Sequence, residues 1–228
     1  MKLSPRLQTV ADAAGKCKIL ADVGTDHGYI PVYMLQNSLC EKAYASDIRE
    51  QPLARAKSTI EENGFSAVAE TYLSDGIRNI PGDYDCLVIA GMGGETIVSI
   101  LEAKKLPQNV KLVLQPMTEE VKLREYLYTH GFKITDETAV SEPGHVYTVI
   151  TAESGESATW TFRDILASPA FCSKKSADAE AYIMKYIRKE SRTLEGLKNS
   201  NTPKTEEIAE VEKRLYEYGK ILELIKNN

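Results

Sequence analysis

Apolar residues follow two rhythms along this chain. Up to about residue 150, short apolar runs alternate with longer amphipathic stretches. The runs at 18–23 (KILADV), 42–46, 68–72, 84–90 (YDCLVIA), 110–115, 132–140 and 145–151 predict strands. The stretches at 29–37, 50–63, 95–104 and 119–129 predict helices. Gly64 suits a left-handed C-cap after Glu61-Glu62-Asn63. Thr118 suits an N-cap ahead of Glu119 and Glu120, whose charges favour a helix's positive end. Strand–helix alternation predicts right-handed crossovers and a parallel sheet covered on both faces. Near residue 130 the alternation stops. FKITDETAV and HVYTVIT are joined by Ser141-Glu142-Pro143-Gly144, which predicts one antiparallel pair closing the sheet edge.

From Ser173 the period becomes helical. Ile208, Val211, Leu215, Tyr218, Leu222 and Ile225 repeat at spacings of three and four, the a/d seam of a coiled coil. Ile183, Ile187, Leu194 and Leu197 form a similar stripe upstream, interrupted by Glu190. Asn199-Ser200-Asn201 breaks the helix, and Thr202-Pro203 restarts it as an N-cap with proline at the first helical position. The expectation is an antiparallel helical hairpin, 161–228, following an α/β domain, 1–160.

The chain of 228 residues is long enough for one sizeable domain plus an appendage. No apolar run approaches the length of a membrane span, and the first residues lack the apolar core of a secretory signal. Cys17, Cys40, Cys86 and Cys172 form no C-x-x-C pair, which argues against a structural metal site and for reduced thiols in a cytoplasmic protein. The net charge of −5 counts against a nucleic-acid partner until its distribution is read. Residues 1–171 hold 16 basic and 23 acidic side chains; residues 172–200 hold 7 and 4. Lys185, Arg188, Lys189 and Arg192 fall on one face of the predicted helix. Local positive charge of that kind is what phosphate contacts need.

The chemistry concentrates in Ala21-Asp22-Val23-Gly24-Thr25-Asp26-His27-Gly28, a strand running into a glycine loop. A dinucleotide fingerprint starting at Gly24 requires glycine at 26 and 29, where Asp26 and Tyr29 stand. A loop with acids fits instead a cationic ligand such as S-adenosylmethionine, whose ammonium and sulfonium attract carboxylates. Asp47 ends the second strand about 20 residues on, placed to accept ribose hydroxyls, and Asp75 follows the third, placed to accept an adenine amino group. Three acids at successive strand ends lie on the edge where open α/β sheets bind ligands. The fourth strand ends in Ile89-Ala90-Gly91-Met92-Gly93-Gly94, where bare backbone allows close approach.

These motifs, together with Leu3-Ser4-Pro5-Arg6-Leu7 and Leu114-Gln115-Pro116, stand in an order that resembles the bacterial tRNA (adenine-22-N1)-methyltransferases, the TrmK family. The resemblance runs over essentially the full length. It implies a class I methyltransferase, Rossmann-like, with a mostly parallel seven-stranded sheet and a C-terminal coiled-coil hairpin. The activity implied is methylation of N1 of adenosine 22 in tRNA, with S-adenosylmethionine as donor and no metal. Donor contacts are then expected from Asp22, Gly24, Thr25 and Gly28 on the loop, and from Asp47, Ile48, Asp75, Gly76, Gly91 and Met92 beyond it. Gly28 stands where some members of the family carry alanine, a departure expected to be tolerated.

N1 of neutral adenine carries a lone pair, so its attack on a methyl group needs no prior proton removal. The product ring is cationic, and a carboxylate beside it stabilises the charge as it develops. Asp26 is the expected catalytic residue, with His27 orienting it or contacting the donor's carboxylate; loop stabilisation through nearby amides is the alternative for Asp26, and packing or loop capping for His27. Arg6, Gln115 and the four basic residues 185, 188, 189 and 192 are the expected tRNA contacts, in a monomer or weak dimer; for Arg6, contact with the donor carboxylate or a salt bridge within the fold are the alternatives. Two further readings remain open at this point. One is a small-molecule methyltransferase using the hairpin as a lid or dimer contact. The other is a non-catalytic donor-binding adapter.

Overall fold

The computed structural model describes residues 1–155, 159–200 and 204–227. Five strands run parallel: β1 (Ile19–Val23), β2 (Lys42–Asp47), β3 (Ala69–Leu73), β4 (Cys86–Gly93) and β5 (Lys111–Thr118). β6 (Phe132–Glu142) and β7 (His145–Ser154) form the expected hairpin, its tip turning at Gly144 (φ 80°). The order is β3-β2-β1-β4-β5-β7-β6, so β7 inserts antiparallel between β5 and β6. The order reverses between β1 and β4, the switch point at which such sheets open a crevice.

Alternate strand residues feed two cores, because successive side chains point to opposite faces. Leu20, Val88 and Val113 join one layer with α1 (Pro5–Ala14), α2 (Tyr29–Gln36) and α3 (Glu50–Glu62). Ala21, Leu87 and Leu112 join the other with α4 (Gly94–Glu102) and α5 (Glu120–Thr129). The strands are buried on both sides, hence their continuous apolar runs.

Several boundaries differ from the sequence reading. α1 is absent from the periodic pattern, yet Ser4 caps it with Pro5 at the first position and Val10, Ala11 and Ala14 buried. β4 runs on through Gly91 to Gly93, bulging beside β5, so the glycine segment is strand edge rather than free loop. Thr118 ends β5 and does not cap α5; Glu119, at φ 57°, occupies that position without a side-chain cap bond. Gly94 explains the crowding there, since a Cβ on it would lie 2.4 Å from the Glu119 carbonyl oxygen. Gly64 does take the left-handed conformation (φ 78°) after α3.

Two short helices not foreseen, α6 (Phe162–Leu166) and α7 (Pro169–Cys172), lead into α8 (Ala177–Lys198) and α9 (Thr205–Asn227). Thr202-Pro203 lies outside the described residues. Tyr186 stacks on Tyr218 at 5.4 Å, and Glu190 pairs with Arg214 at 3.0 Å across the two helices. The acid that broke the apolar stripe is therefore half of a cross-hairpin ion pair. The seam is also less regular than a pure coiled coil. Val211, Tyr218, Ile221 and Ile225 are buried, whereas Leu215 and Leu222 are only half-buried. The reason is that the hairpin shares a third core with the sheet edge, where Phe171, Tyr182 and Ile183 pack with Ala139 of β6.

One polar cluster locks that junction. Arg124 of α5 and Glu137 of β6 are both fully buried and bond at 2.6 Å. Arg124 also donates to the Tyr182 hydroxyl (3.0 Å) and the Ile165 carbonyl (3.3 Å). Glu137 accepts from the Thr148 hydroxyl and the Ser168 amide. Burial alone would raise the Glu137 pKa; Arg124 and these donors overcome that and hold it below the usual carboxylate value.

Candidate active site

The crevice at the switch point has two compartments that share Gly24, Asp47, Arg49 and Met92. Gly24 (φ 77°) forms the floor between them, and the Met92 side chain lies directly over it, where a Cβ at position 24 would collide with the methionine tip. Glycine is required there for conformation and for space.

The first compartment, about 360 Å³, is mainly apolar. Ile48, 63% exposed, and Ile100 present aliphatic surface, with Asp75 and Gly76 at the rim. Gly76 (φ 61°) lies so close to Ile100 that a Cβ would sit 3.0 Å away. Asp47 is nearly buried at the end of β2 and accepts the Arg49 amide at 2.9 Å. Asp75 is exposed and pairs with Arg78 at 3.2 Å. Ile48 is thus an exposed isoleucine with a reason to be exposed.

The second compartment, about 430 Å³, is more polar and is lined by Arg6, Asp22, Thr25, Asp26, His27 and Gly91 among others. Asp22 is buried, and among the described residues it has no cationic partner. Burial pushes its pKa up to about 6; Asp47 adds to the rise, and the Thr25 hydroxyl opposes it. A buried carboxyl without a counter-ion is a site prepared for a cation brought by a ligand. These residues fit a cationic adenosine compound: an apolar slot edged by acids, a bare floor and an unpaired buried carboxyl.

Asp26 sits at φ 41°, an unusual conformation that aspartate tolerates better than most residues. It is half-exposed and ion-paired with Arg55 of α3, and His27 Nε2 lies 3.6 Å from its other oxygen. The Arg55 hydrogen bond, aided by His27 and Arg49, holds its carboxyl below the ordinary value. Asp26 is therefore a fixed carboxylate at the cleft mouth. His27 stacks on Tyr29 with ring centroids 5.1 Å apart and planes 9° from parallel. Tyr29, 40% exposed, was not among the expected site residues. Its signal was an aromatic at a position where a buried helix would carry an aliphatic residue.

Other expected residues play different parts. Gln115 is fully buried: its Oε1 accepts from Arg6 Nη1 (2.6 Å) and the Gly91 amide (3.1 Å), while its Nε2 donates to the Pro116 carbonyl. It has no surface for tRNA; it fixes Gly91 and Arg6 instead, a role hidden in sequence because the partners lie 24 and 109 positions away. Arg6 lines the cleft but is engaged by Gln115, by Glu142 (3.8 Å) and by the Tyr147 ring (5.7 Å). Gly28 (φ 69°) does not line the cleft. A Cβ there would sit 3.1 Å from the Ala56 carbonyl oxygen, so this chain's glycine fits the position without strain.

On α8, Lys185 leans over Tyr182 and Tyr186 and pairs weakly with Glu120 (3.9 Å). Arg188, Lys189 and Arg192 are exposed. With Met117, His145 and Tyr147 they line a broad groove between the hairpin and the β6–β7 turn. No group of three or more candidate metal ligands, and no helix long and apolar enough to cross a membrane, occurs among the described residues.

Residues 3–150 match the family described as a methyltransferase domain. A curated tRNA (adenine(22)-N(1))-methyltransferase of Bacillus subtilis (strain 168) is 39% identical over 159 residues, covering 68% of this chain and 67% of that protein. The chain belongs to this methyltransferase family. The crystal structure of the B. subtilis m1A22 tRNA methyltransferase TrmK superposes with a TM-score of 0.89 at 30% identity, over 97% of this chain and 99% of that one. M. capricolum TrmK, solved with the cofactor product S-adenosyl-homocysteine, gives 0.85 at 26% identity over 99% and 100%. The solved TrmK structures are thus matched over nearly the whole chain, hairpin included.

Proposed function

We propose that this enzyme transfers the methyl group of S-adenosylmethionine to N1 of adenosine 22 in tRNA. The observation that carries the reading is Asp22: a buried carboxyl lacking a counter-ion, on the glycine loop of a TrmK-type fold. Bound S-adenosylmethionine supplies an electrophilic methyl group on a sulfonium. Asp22 provides the negative charge for the donor's cationic end, and Asp47 accepts its ribose hydroxyls. Ile48 and Ile100 flank the adenine, with Asp75 at its amino edge.

Asp26 serves the acceptor. Held ionised by Arg55, it faces the compartment that Arg6, Tyr29 and Gly91 also line. A fixed carboxylate there stabilises positive charge developing on the acceptor ring without itself taking a proton. A base stacked within a folded tRNA leaves its stack to present N1 to this compartment. Lys185, Arg188, Lys189 and Arg192 hold the tRNA backbone, and Arg6 orders the acceptor wall. The catalytic unit is 1–160 and the tRNA-gripping unit 161–228, acting as a monomer or weak dimer in the cytoplasm, where tRNA resides.

The deciding experiment incubates the purified chain with methyl-labelled donor and unmodified tRNA, then maps the label to nucleotide and ring atom. Label on N1 of A22, lost when the transcript carries G22, is expected. Label at another atom, or equal turnover on free adenosine, overturns the assignment.

A further inference from the structure

Three of the four cysteines, scattered in sequence at 17, 40 and 86, meet at one corner of the sheet. The corner lies at the strand starts, opposite the donor crevice. Cys17 sits in the link from α1 to β1, Cys40 in the link from α2 to β2, and Cys86 opens β4. None is bridged. Cys17 is partly exposed, whereas Cys40 is 7% and Cys86 0% exposed. The cluster thus has one reachable thiol backed by two protected ones.

We propose that Cys17 is a modification site for hydroperoxides, with Cys40 as the resolving thiol that closes a Cys17–Cys40 disulfide. β1 and β2 begin at Ile19 and Lys42, and the segments leading into them stay joined: the Cys17 amide donates to the Leu39 carbonyl and the Glu41 amide to the Lys18 carbonyl, both at 2.9 Å, which sets Cys17 beside Cys40. Backbones joined by such bonds run about 4.8 Å apart, within the roughly 4.4–6.8 Å that a disulfide spans. Cys86 instead sits opposite Leu20, three positions along.

The surroundings favour reaction at Cys17. Cys40 and Cys86 hydrogen-bond its sulfur and, with Lys111, favour the thiolate against burial and the nearby Asp85. Lys111 is held in place by the Ala13 and Ala14 carbonyls that end α1. The same hydrogen bonds and burial push the Cys40 and Cys86 thiols upward, leaving them protonated.

The chemistry balances in two steps. The Cys17 thiolate attacks a peroxide oxygen, the O–O bond breaks, and the departing alkoxide takes a proton to leave as alcohol, or as water from hydrogen peroxide. Sulfur is oxidised to sulfenic acid. The Cys40 sulfur then attacks the Cys17 sulfur, the S–O bond breaks, and hydroxide leaves with the Cys40 proton as water. Two thiols lose two electrons and one hydroperoxide gains them.

The test treats the full chain, fully reduced, with hydrogen peroxide, alkylates remaining thiols and maps peptides without reduction. The expected product joins Cys17 to Cys40, is lighter by two hydrogens and reverts with dithiothreitol. Cys40→Ser should leave a sulfenic acid at Cys17 that a cyclic 1,3-diketone traps, and Cys17→Ser should abolish both products. Each variant is checked for native circular dichroism. At pH 6, iodoacetamide should modify Cys17 on the order of tenfold faster than buried Cys172. Equal rates, a disulfide to Cys86, or a bridge between two chains would overturn the proposal.

Discussion

Two arginine–carboxylate pairs divide the work of this molecule, and they differ chiefly in their exposure to water. Arg124 and Glu137 are sealed where the hairpin meets the sheet, each with further hydrogen bonds filling its remaining capacity. Arg55 and Asp26 stand half-exposed at the cleft mouth. In the sealed pair every partner is obligatory, because losing one strands a bare charge in a low-dielectric interior. In the open pair water replaces whatever is lost, so the contact contributes little to stability. The first pair fixes architecture. The second is free to serve chemistry.

The comparison breaks most readily at the sealed pair. Arg124→Met should lower unfolding free energy by about 3–5 kcal/mol in denaturant titration. The double variant Arg124→Met/Glu137→Leu should regain most of that, since the buried charge is then gone. Glu137, held below its unfolded pKa, stabilises the fold above about pH 4.5, and that stability is lost as pH falls through its folded value. At the open pair the pattern reverses. Asp26→Asn should cut kcat on the order of 10²-fold while moving stability by less than about 0.5 kcal/mol. Unchanged kcat with weaker donor binding would reduce Asp26 to a loop-shaping role.

Asp22 combines both behaviours, being buried like Glu137 yet unpaired. Its pKa of about 6 in the ligand-free fold exceeds its unfolded value, so it costs stability as pH rises from about 4 to 6. Asp22→Asn should therefore stabilise the free protein near pH 7, by roughly 1–3 kcal/mol, and abolish tight donor binding. In the parent, calorimetry should find donor affinity rising with pH between about 5 and 7; a flat profile removes the charge role. The smallest effect is expected on the hairpin. Charge reversal at Arg188 and Lys189 should raise KM for tRNA and flatten its salt dependence by roughly two ions, with kcat unchanged at saturating tRNA.

What the sequence carried was whatever is encoded locally. Strand runs, the Pro143-Gly144 turn and the loop acids were readable because each depends on neighbours within a few positions. α1 escaped the periodic reading, although Ser4-Pro5 was a legible helix start. What could not be read was long-range. Gln115 looked like a surface contact until Arg6 and Gly91 were folded onto it, Glu190 looked like a flaw until Arg214 arrived, and the cysteines looked scattered until the sheet's edge gathered them. In each case the partner lies too far along the chain for spacing to reveal it.

The close packing of Gly94 on the Glu119 carbonyl has a mechanical consequence. The glycine edge of the crevice touches the residue that begins α5, and α5 carries Arg124, which grips Tyr182 of the hairpin. The hairpin is therefore packed onto the wall of the crevice as a jaw rather than hung from it as an arm. On the proposed function, a tRNA held against α8 is presented to the crevice across that packed route, so the hairpin sets distance while the crevice sets chemistry.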